Sequence, residues 1–154
     1  MKSPYGYTIA GAALGLALLS LLAGQAAPAL AAPATSDHDA VTAAVFDYLD
    51  GQGEASLERL ERAFASETAQ MLTVAENEDG TPYVRVWNMA DVLPRWASGD
   101  PAQTPRTGKI LSMNVVDGRL ATVVFDSNGR FFDILTLAKV GDRWKIINKA
   151  FVRQ

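Results

Sequence analysis

Asp133 is the residue of this chain whose position points most directly to chemistry. It lies in Phe132-Asp133-Ile134-Leu135, a β-like run in which apolar residues dominate. If Asp133 shares a face with Leu135, its carboxylate lies inside the fold, where an unpaired charge costs several kcal/mol. Carboxylates held in such surroundings are suited to proton transfer. Asp133 is therefore the candidate catalytic residue.

Two interpretations of Asp133 follow from this position. In the first, it is the general acid or base of a small lyase or isomerase, and the diagonally adjacent Asn148 amide donates to a substrate carbonyl. In the second, Asp133 is structural and bonds to a backbone amide, to Arg130 or Lys149 near a strand end, or to a tyrosine hydroxyl. A lone interior carboxylate favours the second interpretation, and with it a non-catalytic domain that holds a small apolar or aromatic molecule.

Four short strands between Lys109 and Arg153 must position these groups. Runs rich in β-branched and aromatic residues are separated by Asp117-Gly118, Asn128-Gly129 and Gly141-Asp142. Such dipeptides supply the positive φ angles of two-residue hairpin turns. A two-residue turn fixes the register of its hairpin, and therefore the face on which each side chain lies. The predicted pairs beside the turns are Val116 with Arg119, Ser127 with Arg130, and Val140 with Arg143.

This register divides the side chains of the four strands into two faces. The inner face is almost entirely apolar and needs helices to cover it; its predicted members are Leu111, Met113, Val115, Leu120, Thr122, Val124, Asp133, Leu135, Leu137, Trp144, Ile146, Asn148 and Ala150. The outer face places three phenyl rings side by side, with two aliphatic neighbours: Phe125, Phe132, Phe151, Val123 and Ile134. Because an apolar patch of this kind is typical of a partner surface, we predict a homodimer through it. The alternative is that a loop or the tail covers the rings.

An internal pocket is predicted between the inner face and the helices. Trp96, on a short helix before a Pro-containing loop, is placed as a lid. Trp144, opposite Lys139 beside the last turn, is expected to plug one end of the core. The predicted ligand-binding residues are Asp133, Asn148, Thr122, Met113, Leu135, Trp96 and Tyr48.

The upstream half of the chain contains the helices that can cover the sheet. Ser36 and Asp39 are spaced as a capping box, an apolar stripe runs from Val41 to Leu49, and Asp50-Gly51 ends the helix. The pattern then predicts a helix over 56–65, strands over 68–76 and 81–87, a short helix over 89–96 and a loop over 97–107.

Residues 1–31 have the pattern of a signal peptide. One Lys precedes an apolar run from Ile9 to Leu22, and Ala29-Leu30-Ala31 provides a small-x-small cleavage site. We predict export, with the mature protein periplasmic or secreted and not held in the membrane; an uncleaved anchor is the alternative. A Pro- and Ala-containing linker over 32–36 then leads to one domain over 37–154.

Composition and motifs exclude several classes of function. The chain has no Cys, so disulfides, thiolate metal sites and a thiol nucleophile are excluded. A net charge of −3 without clustered Lys or Arg argues against nucleic acid as a partner. Phosphate loops, dinucleotide fingerprints and zinc-protease motifs are absent. The turn over 77–80 lacks the ligand spacing of a calcium loop. The single histidine, His38, lies at the start of the first helix. We predict neither a metal nor a cofactor.

Four segments together resemble the putative lumazine-binding branch of the nuclear transport factor 2-like superfamily: residues 44–51 (AVFDYLDG), 60–64 (LERAF), 132–137 (FDILTL) and 141–149 (GDRWKIINK). The resemblance implies a cone-shaped α+β fold of cystatin-like type, in which a curved mixed or antiparallel sheet wraps over N-terminal helices. It also implies an apolar internal pocket and dimerisation through the outer sheet face. Members often place His-Pro after the Phe of the second helix, where this chain has Ala65-Ser66, so no role for that imidazole is expected.

Overall fold

The computed structural model describes residues 35–154, and the predicted signal peptide over residues 1–31 lies outside them. The elements are α1 (Asp37–Gly53), α2 (Leu57–Ala63), β1 (Gln70–Glu76), β2 (Pro82–Asn88), α3 (Met89–Ala97), β3 (Gly108–Val116), β4 (Leu120–Ser127), β5 (Phe131–Val140) and β6 (Arg143–Arg153). Every predicted helix and strand is present, with small shifts at the ends. Within the described range, no helix is both long enough and apolar enough to cross a membrane.

The six strands form one mixed sheet in the order β2-β1-β6-β5-β4-β3. Neighbouring strands are antiparallel except β1 and β6, which are parallel. The three helices pack against one face of this sheet and share a single hydrophobic core with it. The predicted α+β class, with a mixed sheet covered by helices, is therefore confirmed.

Helix α1 begins as the capping box predicts and ends later than predicted. The Ser36 hydroxyl accepts from the Asp39 backbone N–H at 3.1 Å and donates to the Asp39 carboxylate at 2.7 Å. The helix continues past Gly51 to Gly53, because its buried face there contacts α2. The apolar stripe faces the core through Val41, Ala44, Val45, Tyr48 and Leu49.

The register of the first two hairpins differs from the prediction by one residue. Both turns have the expected positive φ angles, but Val116 pairs with Leu120 and Ser127 pairs with Phe131. The extra residue in each loop is an arginine, Arg119 or Arg130. Since side chains alternate with a period of two, a shift of one residue reverses the face of a whole strand.

Strand β4 is therefore inverted relative to the prediction, whereas β5 is not, because the second shift cancels the first. The residues of β4 that are buried are Ala121, Val123, Phe125 and Ser127, while the predicted inner residues Leu120, Thr122 and Val124 point outward. On β5 the predicted inner residues Asp133, Leu135 and Leu137 are all fully buried. The prediction for β5 is confirmed and that for β4 is wrong.

A bulge in β6 inverts its second half. Leu137 pairs with Ile146 and Thr136 with Asn148, which leaves Ile147 as the extra residue. Before the bulge the prediction holds: Trp144 pairs with Lys139 and is buried. After it, Lys149 and Phe151 turn to the inner face, and the predicted inner residues Asn148 and Ala150 turn outward. A second irregularity, near Leu111 in β3, leaves that predicted inner residue exposed.

The predicted row of three outer phenyl rings does not form. Phe125 and Val123 are buried in the core, and Phe151 belongs to the inner face. Phe132 and Ile134 are the members of the predicted patch that lie outside, and both are exposed. The cause is the same pair of one-residue shifts, in β4 and in β6.

Candidate functional site

Three polar side chains from three elements meet inside the core: Tyr48 of α1, Asp133 of β5 and Lys149 of β6. The Tyr48 hydroxyl donates to Asp133 Oδ2 at 2.9 Å, and the Lys149 ammonium donates to Asp133 Oδ1. Their exposed fractions are 2%, 0% and 4%, respectively. We call these three residues the Asp133 cluster. It combines two partners that the structural interpretation of Asp133 named as alternatives.

The bulge at Ile147 is what brings the lysine to the carboxylate. Phe151 is the residue paired with Asp133, and Lys149, paired with Leu135, lies on the same face one step along. A buried ion pair holds only when both charges are present and hydrogen-bonded. The lysine and the tyrosine together give each carboxylate oxygen a donor.

Burial sets the protonation behaviour of the two donors. Desolvation, and then the negative charge of Asp133, raises the pKa of Tyr48 well above its usual value, so its hydroxyl stays a donor. Desolvation also lowers the pKa of Lys149, while the charge and the hydrogen bond of Asp133 oppose that effect. The Lys149 ammonium is also held over two rings, 4.7 Å from the Phe151 centroid and 5.4 Å from the Tyr48 centroid.

A cavity of about 360 Å³ opens next to this cluster. Tyr48 and Lys149 form part of its wall, whereas Asp133 lies behind them. The lining residues are Tyr48, Gln52, Met71, Trp96, Arg106, Arg130, Phe131, Lys149 and Phe151. Tyr48 and Lys149 therefore stand between the cavity and the carboxylate that orients them.

Aromatic rings form much of the cavity wall. The Trp96 ring lies 6.0 Å from the Tyr48 ring, centroid to centroid, with the planes tilted by 31°. Phe131 and Phe151 meet edge to face at 5.6 Å. Rings arranged in this way offer flat apolar faces and positively polarised edges to a planar ligand.

The structure brings some of the predicted ligand-binding residues together and separates others. Tyr48 and Trp96 line the cavity, and Asp133 is directly behind its wall. Met113 and Leu135 are on the inner face, as predicted, but they pack in the core away from the cavity. Thr122 and Asn148 lie on the outer face, so their predicted inward direction is wrong.

Sequence reasoning missed Lys149, Arg106 and Arg130 as cavity residues. Two signals could have found Lys149. Ile146 and Ile147 are adjacent apolar residues that interrupt the alternation of β6, as a bulge does. A buried aspartate also needs a compensating cation, and Lys149 becomes available on the inner face once the bulge is included. The arginines lie in a loop and a turn, where no periodic pattern applies.

No group of three or more His, Cys, Asp or Glu side chains that could hold a metal ion is present in residues 35–154. The polar groups of the site are hydrogen-bond donors and cations, which suit an acceptor-bearing organic ligand. The Asp133 carboxylate, behind the cavity wall, already accepts hydrogen bonds from its two partners.

Solved structures share this architecture. A nuclear transport factor 2-like protein of unknown function from Shewanella baltica is 18% identical and superposes with a TM-score of 0.62, covering 79% of this chain and 98% of its own. One from Silicibacter pomeroyi is 21% identical with a TM-score of 0.61, covering 75% and 93%. A domain of unknown function with a cystatin-like fold from Nostoc punctiforme is 18% identical with a TM-score of 0.55, covering 79% of each chain. The fold is thus nuclear transport factor 2-like.

The sequence also matches a family model over residues 36–152, nearly the whole described range. The chain belongs to this family, which is described as putative lumazine-binding. No curated protein matches it.

Proposed function

We propose that the domain over residues 37–154 is a non-catalytic small-molecule-binding domain and that its ligand occupies the cavity beside the Asp133 cluster. The observation that supports this proposal is a cavity with aromatic walls and a buried lysine, Lys149, whose charge is compensated by Asp133 behind the wall. Its volume of about 360 Å³ lies within the range of roughly 300–1,000 Å³ that is typical of ligand pockets. The family description names a flat heteroaromatic molecule, and such a ring suits these walls.

Lys149 supplies the polar contact of this proposed site. Its ammonium has three N–H donors, and Asp133 accepts one of them. A ligand carbonyl or ring nitrogen can accept another. Because the rest of the ammonium is enclosed by aromatic rings, that hydrogen bond forms away from water, where it is stronger than in bulk solvent.

The alternative is a small lyase or isomerase that uses Asp133 as its acid or base. That reaction requires the carboxylate to contact the substrate. Asp133 is fully buried behind Tyr48 and Lys149, and Asn148, the proposed carbonyl donor, lies on the opposite face of the sheet. This arrangement favours binding over catalysis.

The neighbouring residues Phe131 and Phe132 provide a matched test of ligand binding, since they lie on opposite faces of β5. Protein purified from its native host should release a small molecule on denaturation, identified by mass spectrometry. Phe131→Ala removes part of the cavity wall and should lose most of that molecule. Phe132→Ala should retain it. If wild type releases nothing, or if both variants retain the molecule equally, the proposal is wrong.

A homodimer through the outer sheet face is part of the proposal. Exposed aliphatic and aromatic side chains from β1, β2, β5 and β6 form a continuous apolar depression, whose members include Val74, Val84, Phe132, Ile134 and Val152. Such a patch on an exported protein is best covered by a second copy. Two rings of the predicted row, Phe125 and Phe151, belong to the inner face, so the dimer proposal depends on this mainly aliphatic surface.

Sedimentation of the mature chain at tens of micromolar tests the dimer. Ile134 and Leu120 have nearly equal exposed fractions, 47% and 48%, but Leu120 lies outside the depression. Ile134→Lys should give a monomer and Leu120→Lys should remain a dimer. A monomeric wild type would contradict the proposal.

We also propose that the protein is exported, and the signal-peptide pattern of residues 1–31 supports this proposal. The intact mass of the protein recovered from its native host should correspond to a chain that begins near residue 32. Recovery of the full-length chain from the cytoplasmic fraction would rule export out.

A further inference from the structure

All the charged side chains that line the cavity are positive. Arg106 and Arg130 contribute two guanidinium groups to its wall, and no Asp or Glu is among the lining residues. Asp133, which lies behind the wall, compensates the charge of Lys149. In the part of the chain that the structure describes, neither Arg106 nor Arg130 forms an ion pair. The same holds for Arg85, Arg95, Arg143 and Arg153, whereas Arg59, Arg62 and Arg119 do form ion pairs.

The two arginines are brought to the same rim by a pair of reciprocal hydrogen bonds. The Thr107 backbone N–H donates to Asn128 Oδ1 at 3.1 Å, and the Asn128 N–H donates to the Thr107 carbonyl at 2.7 Å. This clamp joins the segment before β3 to the turn between β4 and β5. Arg106 directly precedes the clamp on one side, and Arg130 follows it by two residues on the other.

Further contacts position the Arg106 side chain and the Arg130 backbone. Arg106 Nη1 donates to Gln52 Oε1 of α1 at 2.6 Å, and the Arg130 backbone carbonyl accepts from the Gln154 N–H at 2.9 Å. The Arg130 guanidinium lies 5.8 Å from the centroid of the Phe131 ring. Groups that are positioned before a ligand arrives lose less freedom on binding. Arg106 is thus positioned in advance, whereas the exposed Arg130 guanidinium is beside the Phe131 ring and makes no hydrogen bond within residues 35–154.

We propose that the ligand of this cavity is a flat aromatic oxyanion, whose ring packs against Trp96 and Phe131 and whose carboxylate or phosphate ester is bound by Arg106 and Arg130. This inference rests on the cavity being a ligand site. Guanidinium groups bind carboxylates and phosphates through paired N–H donors, and such charge-assisted bonds are stronger than neutral ones. The positive field also reaches inward, since the Arg106 charge acts to lower the pKa of Tyr48 against the larger effect of burial.

Three probes with the same ring separate charge from shape: 2-naphthoate, 2-naphthyl phosphate and the neutral 2-naphthamide, each titrated by calorimetry. We expect at least one anion to bind roughly tenfold or more tightly than the amide, as one or two charge-assisted hydrogen bonds would give. The stronger of the two anions identifies the acidic group that the rim prefers.

Arginine variants then locate the charge. Arg106→Gln and Arg130→Gln should each weaken binding of the preferred anion by roughly tenfold and leave naphthamide binding unchanged. Arg119→Gln is the matched control, because Arg119 follows Asp117-Gly118 as Arg130 follows Asn128-Gly129, yet lies away from the cavity. Arg119→Gln should leave the binding of both the preferred anion and naphthamide unchanged. Thermal unfolding of each variant confirms that the fold is intact.

The outcomes separate this inference from the proposed function. Equal binding of the amide and the anions, or anion binding that survives both arginine substitutions, would overturn the oxyanion and leave the ligand cavity standing. If wild-type protein binds none of the three probes and releases no molecule on denaturation, both proposals fail.

Discussion

Two clusters that each join an aspartate to a lysine and to an aromatic donor occupy different environments in this domain. In one, which we call the Asp37 cluster, the Asp37 carboxylate accepts from the Lys139 ammonium at 2.8 Å and from Trp144 Nε1 at 3.0 Å. In the Asp133 cluster, the carboxylate accepts from a lysine and from a tyrosine hydroxyl. The side chains of the first ion pair are 36% and 33% exposed, and those of the second are 5% and 0% exposed.

The difference in burial gives the two clusters different roles. Water solvates the Asp37 cluster, so its ion pair ties the start of α1 to the β5–β6 hairpin without defining a cavity. Around the Asp133 cluster, water is replaced by aromatic rings, and each group depends on its partners for solvation. The Asp133 cluster is a candidate site because it is buried beside a cavity. The kinds of residue in the two clusters do not explain the difference.

The largest contrast should come from removing each lysine. Lys149→Met leaves Asp133 charged in the core and should lower the free energy of unfolding by about 3–5 kcal/mol. Lys139→Met leaves a carboxylate that water can reach and should cost far less. Urea denaturation measures both.

A double variant sharpens this prediction. Asp133→Asn combined with Lys149→Met removes both charges and should recover much of the stability that Lys149→Met loses, since uncharged replacements of a buried pair are often tolerated. Equal losses for Lys149→Met and Lys139→Met would contradict the distinction between the clusters.

A smaller effect is expected from the tyrosine hydroxyl. Tyr48→Phe keeps the ring but leaves one buried oxygen of Asp133 without its donor, which should cost about 1–3 kcal/mol. Tyr83→Phe is the control: the hydroxyl of this half-buried residue accepts from the exposed Arg85 on the same strand, and the variant should fall within about 0.5 kcal/mol of wild type. Chemical denaturation of the two variants under one set of conditions compares them. A Tyr48→Phe protein as stable as the control would show that the hydroxyl is dispensable.

The smallest effect should be the acid sensitivity of the Asp37 cluster. The hydrogen bond from Lys139, followed by that from Trp144, lowers the pKa of Asp37. Because the folded state then binds the proton less readily than the unfolded state, this contribution to stability is present above the unfolded pKa of about 4. It is lost as the pH falls through the lower folded value. Asp37→Asn should therefore flatten the acid limb of the stability profile below about pH 4. An unchanged acid limb would show that Asp37 does not contribute.

Local signals predicted the elements of this fold and the positions of its turns correctly, but they gave loops one residue too short in the first two hairpins. The capping box at Ser36, the positive φ angles at Asn128 and Gly129, and the burial of Asp133 were all readable from residue types and spacing. They could be predicted because each depends on a few neighbouring residues. Turn chemistry and hydrophobic alternation act over that same short range.

The composition of the cavity was only partly predictable. Tyr48 and Trp96 were expected there, but Lys149 and Phe151 were assigned to the outer face, because a single extra residue at Ile147 inverts everything after it. Arg106 and Arg130 are 24 positions apart along the chain, and a clamp between two irregular segments brings them together. The bulge leaves only the adjacent apolar residues Ile146 and Ile147 as a trace in the sequence, and the clamp leaves no periodic trace.

The sequence by itself determined the order of helices and strands, the family, and the need for a hydrogen-bonding or charged partner beside a buried aspartate. Only the tertiary structure decided which lysine meets that need and which side chains share the cavity. The physical reason is that local propensity acts over a few residues, whereas the face of the sheet on which a side chain lies is set by the register of its strand. Register changes by whole residues at bulges, and packing against the helices selects which of the two faces becomes the core.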